Sequence, residues 1–491
     1  MIRGSGVLLH ISSLPSNYGI GTFGKEAYKF VRKLKKANQK YWQILPLSPT
    51  GFKDSPYQSF SAYAINPYFI DLDLLVDDDM LKDSDIKHLN WGDNDKLVDY
   101  GLIYQNKEKV LWNAFKKGNR RLDSKIKLFY QKNKFWLEDY ALYMTCKKVF
   151  NNQNWLNWDI DFKSRKRSVI NELKNENIEL FDFYVFVQYI AYSQYIKLKR
   201  FANANGIYII GDCPIYVSLD SSDVWANKEQ FLLNSQYYPE LVAGVPPDYF
   251  SKTGQLWGNP IYDYNRMKKN NYSWWIQRLK YNSNLYDYIR LDHFRGFEAY
   301  YAIPANETTA LNGKWYKGPD KDLFNTVIEQ IPSINLIAED LGIITDEVKK
   351  LKDDFKLPGL KILLFAFDSL EENHPYLPVN FEQNCMAYLG SHDNNTLYGY
   401  FNENLNGFEN MKQYYGVDSK ENVYEALLDD MYKSKADCVI LQIQDILKQD
   451  QNYRMNIPGS DSGNWQYRLT KEQLDNLDLS FVEYLTIKYE R

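Results

Sequence analysis

The sequence contains few of the residues from which disulfide and metal sites are built. It has only four cysteines, at positions 146, 213, 385 and 438, and no two of them form a CxxC pair. This spacing excludes the common zinc and redox motifs and indicates reduced thiols. Two of the five histidines adjoin acidic residues, but no compact ligand pattern such as HExxH is present. We therefore expect no catalytic metal.

Basic blocks and long apolar runs are also missing. The net charge is −4 and no cluster of lysine or arginine stands out, which argues against nucleic acid and anionic membranes as partners. The apolar run near the N-terminus is too short for a signal peptide, and no stretch approaches the roughly 18 apolar residues of a membrane span. We expect a cytoplasmic protein.

Strand-like and helical patterns alternate along the chain. A short apolar run at 7–11 is followed by an amphipathic helix with Ala27, Phe30, Val31 and Leu34 on one face, and then by a second strand at 41–47. Strand, helix, strand is the βαβ unit, which favours a parallel sheet. Further strand-like runs are expected at 207–212, 286–292, 334–338, 359–367, 386–390 and 454–459.

Eight such runs predict an α/β fold, a (β/α)8 TIM barrel with helical and irregular insertions between the barrel strands. No glycine-rich nucleotide fingerprint is present, so a doubly wound sheet is the weaker alternative. We expect residues 1–491 to form one catalytic barrel. Residues from about 77 to 201 read as a mainly helical insertion. The proline- and glycine-rich stretch from about 213 to 285 reads as a loop-rich insertion that forms part of the active-site cleft.

Aromatic residues are abundant, with 41 Tyr and 12 Trp. These side chains combine an apolar face with a polar edge and suit stacking on sugar rings, although core packing and biased composition explain them equally well. The polar aromatic loop at 55–63 has the same two interpretations. We favour substrate contact there, because loops on a rigid scaffold tend to carry binding residues.

Three carboxylates, Asp292, Glu339 and Asp393, each follow a different predicted strand, where barrel active sites form. Arg290 lies two residues before Asp292 and on the same strand face, which favours the ionised carboxylate of a nucleophile. Glu339 follows an apolar run with no basic neighbour in sequence, so burial is expected to raise its pKa for acid/base work. Asp393 adjoins His392, whose neutral ring can bond a substrate hydroxyl. Each carboxylate taken singly is also compatible with an ion pair or a loop cap.

The chain resembles the amylomaltases, the disproportionating 4-α-glucanotransferases of the α-amylase clan, essentially from end to end. The resemblance is carried by seven motifs, at residues 12–15, 55–57, 211–217, 244–250, 290–296, 338–342 and 390–394. It implies that Asp292 is the nucleophile, Glu339 the acid/base and Asp393 the transition-state stabiliser. It further implies substrate contacts for Arg290, His392, Asp212, Tyr57, Ser55, Asp248, Trp257, Asp368 and, most weakly, Asn464.

The expected function is transfer of α-1,4-glucan segments to the 4-hydroxyl of glucose or a maltooligosaccharide, with retention and without a cofactor. An α-amylase-like hydrolase of the same clan is the first alternative, and a non-catalytic glucan-binding barrel is the second. Possession of all three carboxylates argues against the second. We expect the loop at 243–250, with Tyr249 and Phe250, to act as a lid that excludes water.

Overall fold

The structure, a computed structural model, describes residues 1–247, 251–369, 371, 373–460 and 462–491. The described residues contain twelve strands: β1 (Gly4–Leu8), β2 (Tyr41–Gln43), β3 (Tyr208–Pro214), β4 (Leu241–Val245), β5 (Gln255–Pro260), β6 (Tyr288–Asp292), β7 (Ala299–Pro304), β8 (Lys314–Lys317), β9 (Leu336–Ala338), β10 (Gly359–Ile362), β11 (Cys385–Tyr388) and β12 (Cys438–Gln442).

Eight of these strands form one parallel sheet in the order β10-β11-β12-β1-β2-β3-β6-β9. The two ends of this order meet, because the backbone N–H of Ala338 donates to the carbonyl of Pro358, 2.9 Å away, just before β10. The sheet therefore closes into the predicted (β/α)8 barrel. β1 lies between β2 and β12, with Gly4 in register with Cys438. Most residues of these strands are buried, as expected for a sheet covered on both faces.

The expected eighth strand at 454–459 is wrong. The barrel strand is β12, sixteen residues earlier, in which Val439, Ile440 and Leu441 are fully buried. The stretch at 454–459 is irregular and lies over the carboxyl ends of the strands. Pro458 cannot donate a backbone hydrogen bond, which is unfavourable inside a central strand.

The described residues also contain eighteen α-helices: α1 (Lys25–Lys36), α2 (Leu72–Asp77), α3 (Tyr100–Val149), α4 (Ile160–Lys163), α5 (Arg167–Glu176), α6 (Ile178–Ala204), α7 (Ser222–Ala226), α8 (Tyr264–Lys269), α9 (Ser273–Leu285), α10 (Arg295–Glu298), α11 (Asp320–Gln330), α12 (Asp346–Asp354), α13 (Leu397–Glu403), α14 (Leu405–Tyr415), α15 (Lys420–Lys433), α16 (Ile443–Ile446), α17 (Lys471–Asp475) and α18 (Ser480–Lys488). The predicted apolar face of α1 is fully buried.

The long helices α3 and α6 pack against each other through aromatic side chains. Trp112 stacks on Phe183 with ring centroids 4.2 Å apart, and Phe115 packs edge-on against Phe186. These stripes of aromatic residues at helical spacing are therefore core contacts between two helices. Among the described residues, no helix combines the length and apolar composition needed to cross a bilayer.

A second, four-stranded sheet in the order β5-β4-β7-β8 is antiparallel throughout. Sequence reasoning predicted only irregular loop for the stretch that supplies β4 and β5. Gly244 is needed there, because a Cβ at this position would lie 2.2 Å from the carbonyl oxygen of Gln255 on the paired strand. This sheet follows β3 and β6 in the chain and so stands at the rim where those strands end.

Candidate active site

The carboxyl ends of β3, β6, β9 and β11 carry the polar residues at one rim of the barrel. Asp292 is the last residue of β6, and Glu339 directly follows β9. Leu291 is in register with Ala338, so Asp292 and Glu339 occupy the next pair of positions on neighbouring strands. Neighbouring strands lie about 4.8 Å apart. The two predicted catalytic carboxyls are therefore side by side.

Arg290 connects Asp292, one member of this pair, to a second carboxylate, Asp212. Its Nη1 donates to Oδ2 of Asp212 at 2.7 Å and to Oδ1 of Asp292 at 2.9 Å. The side chain of Asp212 is completely buried, whereas that of Asp292 is 26% exposed. Asp292 is thus partly exposed and is held by a guanidinium through a charge-assisted hydrogen bond.

Glu339 has a different environment. The residue is only partly exposed. Loss of solvation raises the pKa of its carboxyl from 4.5 to about 8, and the nearby Arg290 offsets this rise only in part. Two backbone N–H groups fix its orientation: that of His293 donates to Oε2 at 2.7 Å, and that of Leu341 donates to Oε1 at 3.1 Å. The raised pKa favours the protonated form of this residue.

Tyr57 links Asp212 to His392. Its hydroxyl lies 2.8 Å from Oδ2 of Asp212 and 2.8 Å from Nε2 of His392, and the two rings stack with an interplanar angle of 10°. Because a carboxylate only accepts, the hydroxyl donates to Asp212 and accepts from the Nε2–H of His392. The same Nε2 lies 3.3 Å from Oδ2 of Asp393. A ring with a proton on Nε2 fits these contacts.

Asp393 is held from the other side by the segment that follows β12. Asn456 donates through Nδ2 to Oδ1 of Asp393 at 2.7 Å, and Arg454 donates through Nη2 to its backbone carbonyl at 3.0 Å. The side chain remains 42% exposed. The site thus combines a carboxyl with a raised pKa, an ion-paired carboxylate and a third, accessible acidic side chain. Glycoside cleavage with retention uses a closely spaced pair of carboxyl groups.

Comparison with known proteins identifies the family. A family model described as 4-alpha-glucanotransferase matches residues 9–474. The chain belongs to the 4-α-glucanotransferase family. It is 46% identical over 486 residues to the 4-alpha-glucanotransferase of Clostridium butyricum, covering 98% of this chain and 100% of the relative. It is 42% identical over 484 residues to that of Thermus thermophilus, covering 96% of each.

Solved structures agree with this assignment. The amylomaltase from Streptococcus agalactiae in complex with acarbose superposes with a TM-score of 0.97 at 38% identity, covering 100% of this chain and 99% of that one. The amylomaltase from Corynebacterium glutamicum gives a TM-score of 0.80 at 17% identity over 99% of this chain and 75% of that chain, and this likeness concerns the fold alone. The family resemblance read from the motifs is therefore confirmed.

Two predicted substrate residues serve the local structure of the site. The hydroxyl of Ser55 accepts the backbone N–H of Tyr57 at 3.2 Å, so it stabilises the turn that presents that ring. Asp212 is fully buried and contacts Arg290 and Tyr57, so it orients the groups that line the pocket. Trp257, on β5, packs edge-on against the ring of His293 with centroids 4.8 Å apart, and this places it beside the Asp292–Glu339 pair.

Other predicted residues lie further out. Asp368 is exposed and accepts hydrogen bonds from Tyr400 and Asn404, at 3.2 and 3.0 Å. Asn464 uses both its polar atoms within its own loop, accepting from the N–H of Ile457 at 2.9 Å and donating to the carbonyl of Ser460 at 3.1 Å. The described contacts therefore do not join Asp368 or Asn464 to the central carboxylates.

The predicted substrate residue Asp248 and the predicted lid residues Tyr249 and Phe250 lie outside the described residues. Within the described part of the chain, no three His, Cys, Asp or Glu side chains are grouped so that they could hold a metal ion.

Sequence reasoning missed two neighbours of the site. Trp465 is buried and packs against the rings of Tyr57 and His392, with centroids 5.5 and 6.1 Å away. Asn456 bonds Asp393 directly. Asn456 lies in the stretch at 454–459 that was predicted to be a strand, so its contact with Asp393 was not expected. Trp465 directly follows Asn464, the weakest of the candidates that the resemblance implied.

Proposed function

We propose that this protein transfers segments of α-1,4-glucan from one chain to the 4-hydroxyl of another sugar by a retaining double displacement. The observation that carries the proposal is the contrast between two adjacent carboxyls. Burial raises the pKa of Glu339 to about 8, which favours its protonated form, while Asp292 is paired with Arg290 at 2.9 Å. Family membership supports glucan as the substrate class, and a solved relative holds acarbose.

In the first step, a carboxylate oxygen of Asp292 attacks the anomeric carbon and forms a glycosyl ester. The bond from that carbon to the leaving 4-oxygen breaks, and this oxygen takes the proton of Glu339. In the second step, Glu339, now a carboxylate, removes the proton from an acceptor 4-hydroxyl. That oxygen attacks the anomeric carbon and releases Asp292. Two inversions give net retention of the α-linkage.

The remaining polar residues act on the sugar whose bond is broken. Asp393, accessible and held at one oxygen by Asn456, stabilises the positive charge that develops on the ring. His392 is buried with its Nε2 between Tyr57 and Asp393, where it can reach a ring hydroxyl. We propose that the insertion at 213–285, through Trp257, provides one wall of the cleft.

Transfer predominates over hydrolysis only if the glycosyl ester on Asp292 reacts with an acceptor sugar faster than it reacts with water. Orientation can supply this bias, because well-placed reactants reach effective molarities of about 10⁵–10⁸ M. The predicted loop at 243–250 begins as strand, since residues 243–245 belong to β4. We propose that the segment after β4, with Tyr249 and Phe250, contributes by excluding water from the intermediate. Pro246 and Pro247, which directly follow β4, would restrict the backbone at the start of this segment.

Incubation with maltotriose tests the proposal. The products should be glucose and a ladder of longer oligomers, with little rise in total reducing ends. Asp292→Asn is the matched control, because an amide cannot form the ester and the trisaccharide should remain unchanged. A steep rise in reducing ends with the unaltered enzyme would mean that it is a hydrolase. Unchanged maltotriose under all conditions would favour a glucan-binding protein.

A further inference from the structure

His293, directly after Asp292, has an unusual backbone conformation. Its φ is 52°, in the left-handed region. A side chain that carries a Cβ is disfavoured there because the Cβ approaches the following carbonyl oxygen, although glycine and asparagine tolerate the conformation well. Strained backbone of this kind is often found where a functional group has to be aimed.

The backbone N–H of His293 is aimed at the acid/base candidate. It donates to Oε2 of Glu339 at 2.7 Å, which is shorter than the 3.1 Å bond from Leu341 to Oε1. Oε2 is therefore the better acceptor, and Oε1 is the oxygen better able to carry the proton. Of the two N–H groups that orient the carboxyl, that of His293 thus makes the shorter bond.

The chain on either side of His293 is fixed, so the N–H cannot be aimed by other means. Asp292 before it ends β6 within the barrel ladder. After it, the N–H of Phe294 donates to the carbonyl of Glu339 at 3.1 Å, and the N–H of Gly296 donates to the carbonyl of His293 at 2.9 Å. A change of φ at His293 to the usual negative range would therefore rotate the peptide between 292 and 293 and turn the N–H away from Glu339.

The imidazole ring contributes little to this contact. It packs edge-on against Trp257, and its buried Nε2 has no hydrogen-bond partner among the described residues. Glu339 is faced by Arg290 and Asp292 from β6 and by Asp340 on its own segment, and none of these charges belongs to His293. The ring and the backbone of His293 can thus be tested separately.

We propose that His293 is a positioning residue whose left-handed backbone aims its N–H at Glu339 and so orients the acid/base carboxyl toward the leaving oxygen. This inference depends on the proposed function. It concerns the backbone conformation of the residue and assigns no role to the imidazole.

Four substitutions separate the two parts of the residue, because all of them remove the ring and they differ in tolerance of positive φ. His293→Gly and His293→Asn allow the left-handed conformation, whereas His293→Ala and His293→Val disfavour it, Val most. On maltotriose, kcat of the Val variant should be about tenfold or more below that of the Gly variant. If the Val variant fails to fold, the Ala and Gly variants supply the same comparison.

Two further measurements distinguish aiming from general damage to the site. First-turnover release of fluoride from α-maltosyl fluoride, whose leaving group needs little protonation, should be similar in all four variants. The N–H bond from His293 lowers the pKa of Glu339, in opposition to burial. The basic limb of kcat against pH should therefore move to higher pH in the Val variant and stay in place in the Gly and Asn variants.

Equal loss in all four variants would show that the ring matters and would overturn the inference. An equal loss of rate on maltotriose and on α-maltosyl fluoride in the Val variant would indicate damage at Asp292 and would also overturn the inference. Unchanged kcat in all four variants would overturn it as well. Failure of the proposed function is distinguishable, because the unaltered enzyme would then not disproportionate maltotriose at all.

Discussion

Replacement of Glu339 by glutamine should make stability less sensitive to pH. The folded protein holds the Glu339 proton up to about pH 8, whereas the unfolded chain releases it near the ordinary value of 4.5. A group whose folded pKa is raised in this way stabilises the fold at low pH, and that stabilisation is lost as the pH rises through the folded value. Glutamine is neutral at every pH and has the same shape as the protonated acid.

The size of the effect follows from these two pKa values. Protonation of Glu339 favours the folded state by roughly 3 kcal/mol at pH 6 and by less than about 1 kcal/mol at pH 8. Between pH 6 and pH 8, the free energy of unfolding of the unaltered protein should therefore fall by about 2 kcal/mol relative to that of Glu339→Gln. Contributions from ionisable groups distant from Glu339 are common to both proteins and cancel in the difference, whereas those of Arg290, Asp292 and Asp340, which face Glu339, are part of what is measured.

Urea unfolding followed by tryptophan fluorescence at pH 6, 7 and 8 measures this difference, provided that the two proteins give the same slope against denaturant. Glu172→Gln is a suitable control, because Glu172 is exposed on α5 and its solvation changes little on folding. Parallel pH dependence of the unaltered protein and Glu339→Gln would refute the assignment of Glu339 as a buried, protonated acid.

Three further predictions concern the reaction itself. Asp292→Asn should fold normally and lose nearly all transfer. In the unaltered enzyme, NMR should show that the initial products are α-anomers, and β-anomers would exclude an ester on Asp292. Asn456→Ala should lower kcat by roughly 10- to 100-fold through loss of a hydrogen bond to the charged Asp393, and an unchanged kcat would dismiss that role. Replacement of both Tyr249 and Phe250 by alanine should raise the ratio of hydrolysis to transfer, measured as reducing ends per glucose released. An unchanged ratio would contradict the proposal that these two residues exclude water.

The parts of the fold that were predictable are those with a repeated local pattern. Seven barrel strands were found because each is a short apolar run next to an amphipathic helix or a turn. The stretch at 438–442 has the same apolar character and forms β12. The prediction instead placed the eighth strand at 454–459, where Ile457 and Gly459 resemble a strand and its turn but Pro458 is unfavourable in a strand. The second sheet was missed in part because β4 pairs antiparallel with β7, from Gly244 with Tyr301 to Leu241 with Pro304, a long-range pairing that local patterns do not specify.

The three candidate carboxylates were predictable because strand ends of a barrel share one rim, so position along the chain implies position in space. The partners of these carboxylates were not. That Asp212 is completely buried beneath Arg290, and that Asn456 reaches Asp393, depends on how distant segments approach each other. Sequence spacing contains no measure of that approach.

The pairing of β1 with β12 has a consequence for synthesis of the chain on the ribosome. Gly4 pairs with Cys438, 434 positions later in the sequence (438 − 4). At about 5–20 residues per second, β1 has to wait roughly 20 to 90 s for its second neighbour. During that time one edge of the nascent sheet has unsatisfied backbone groups, and such edges invite pairing with other chains. Chaperones that shield nascent strands should therefore affect the yield of this protein more than they affect that of a helical protein of equal length.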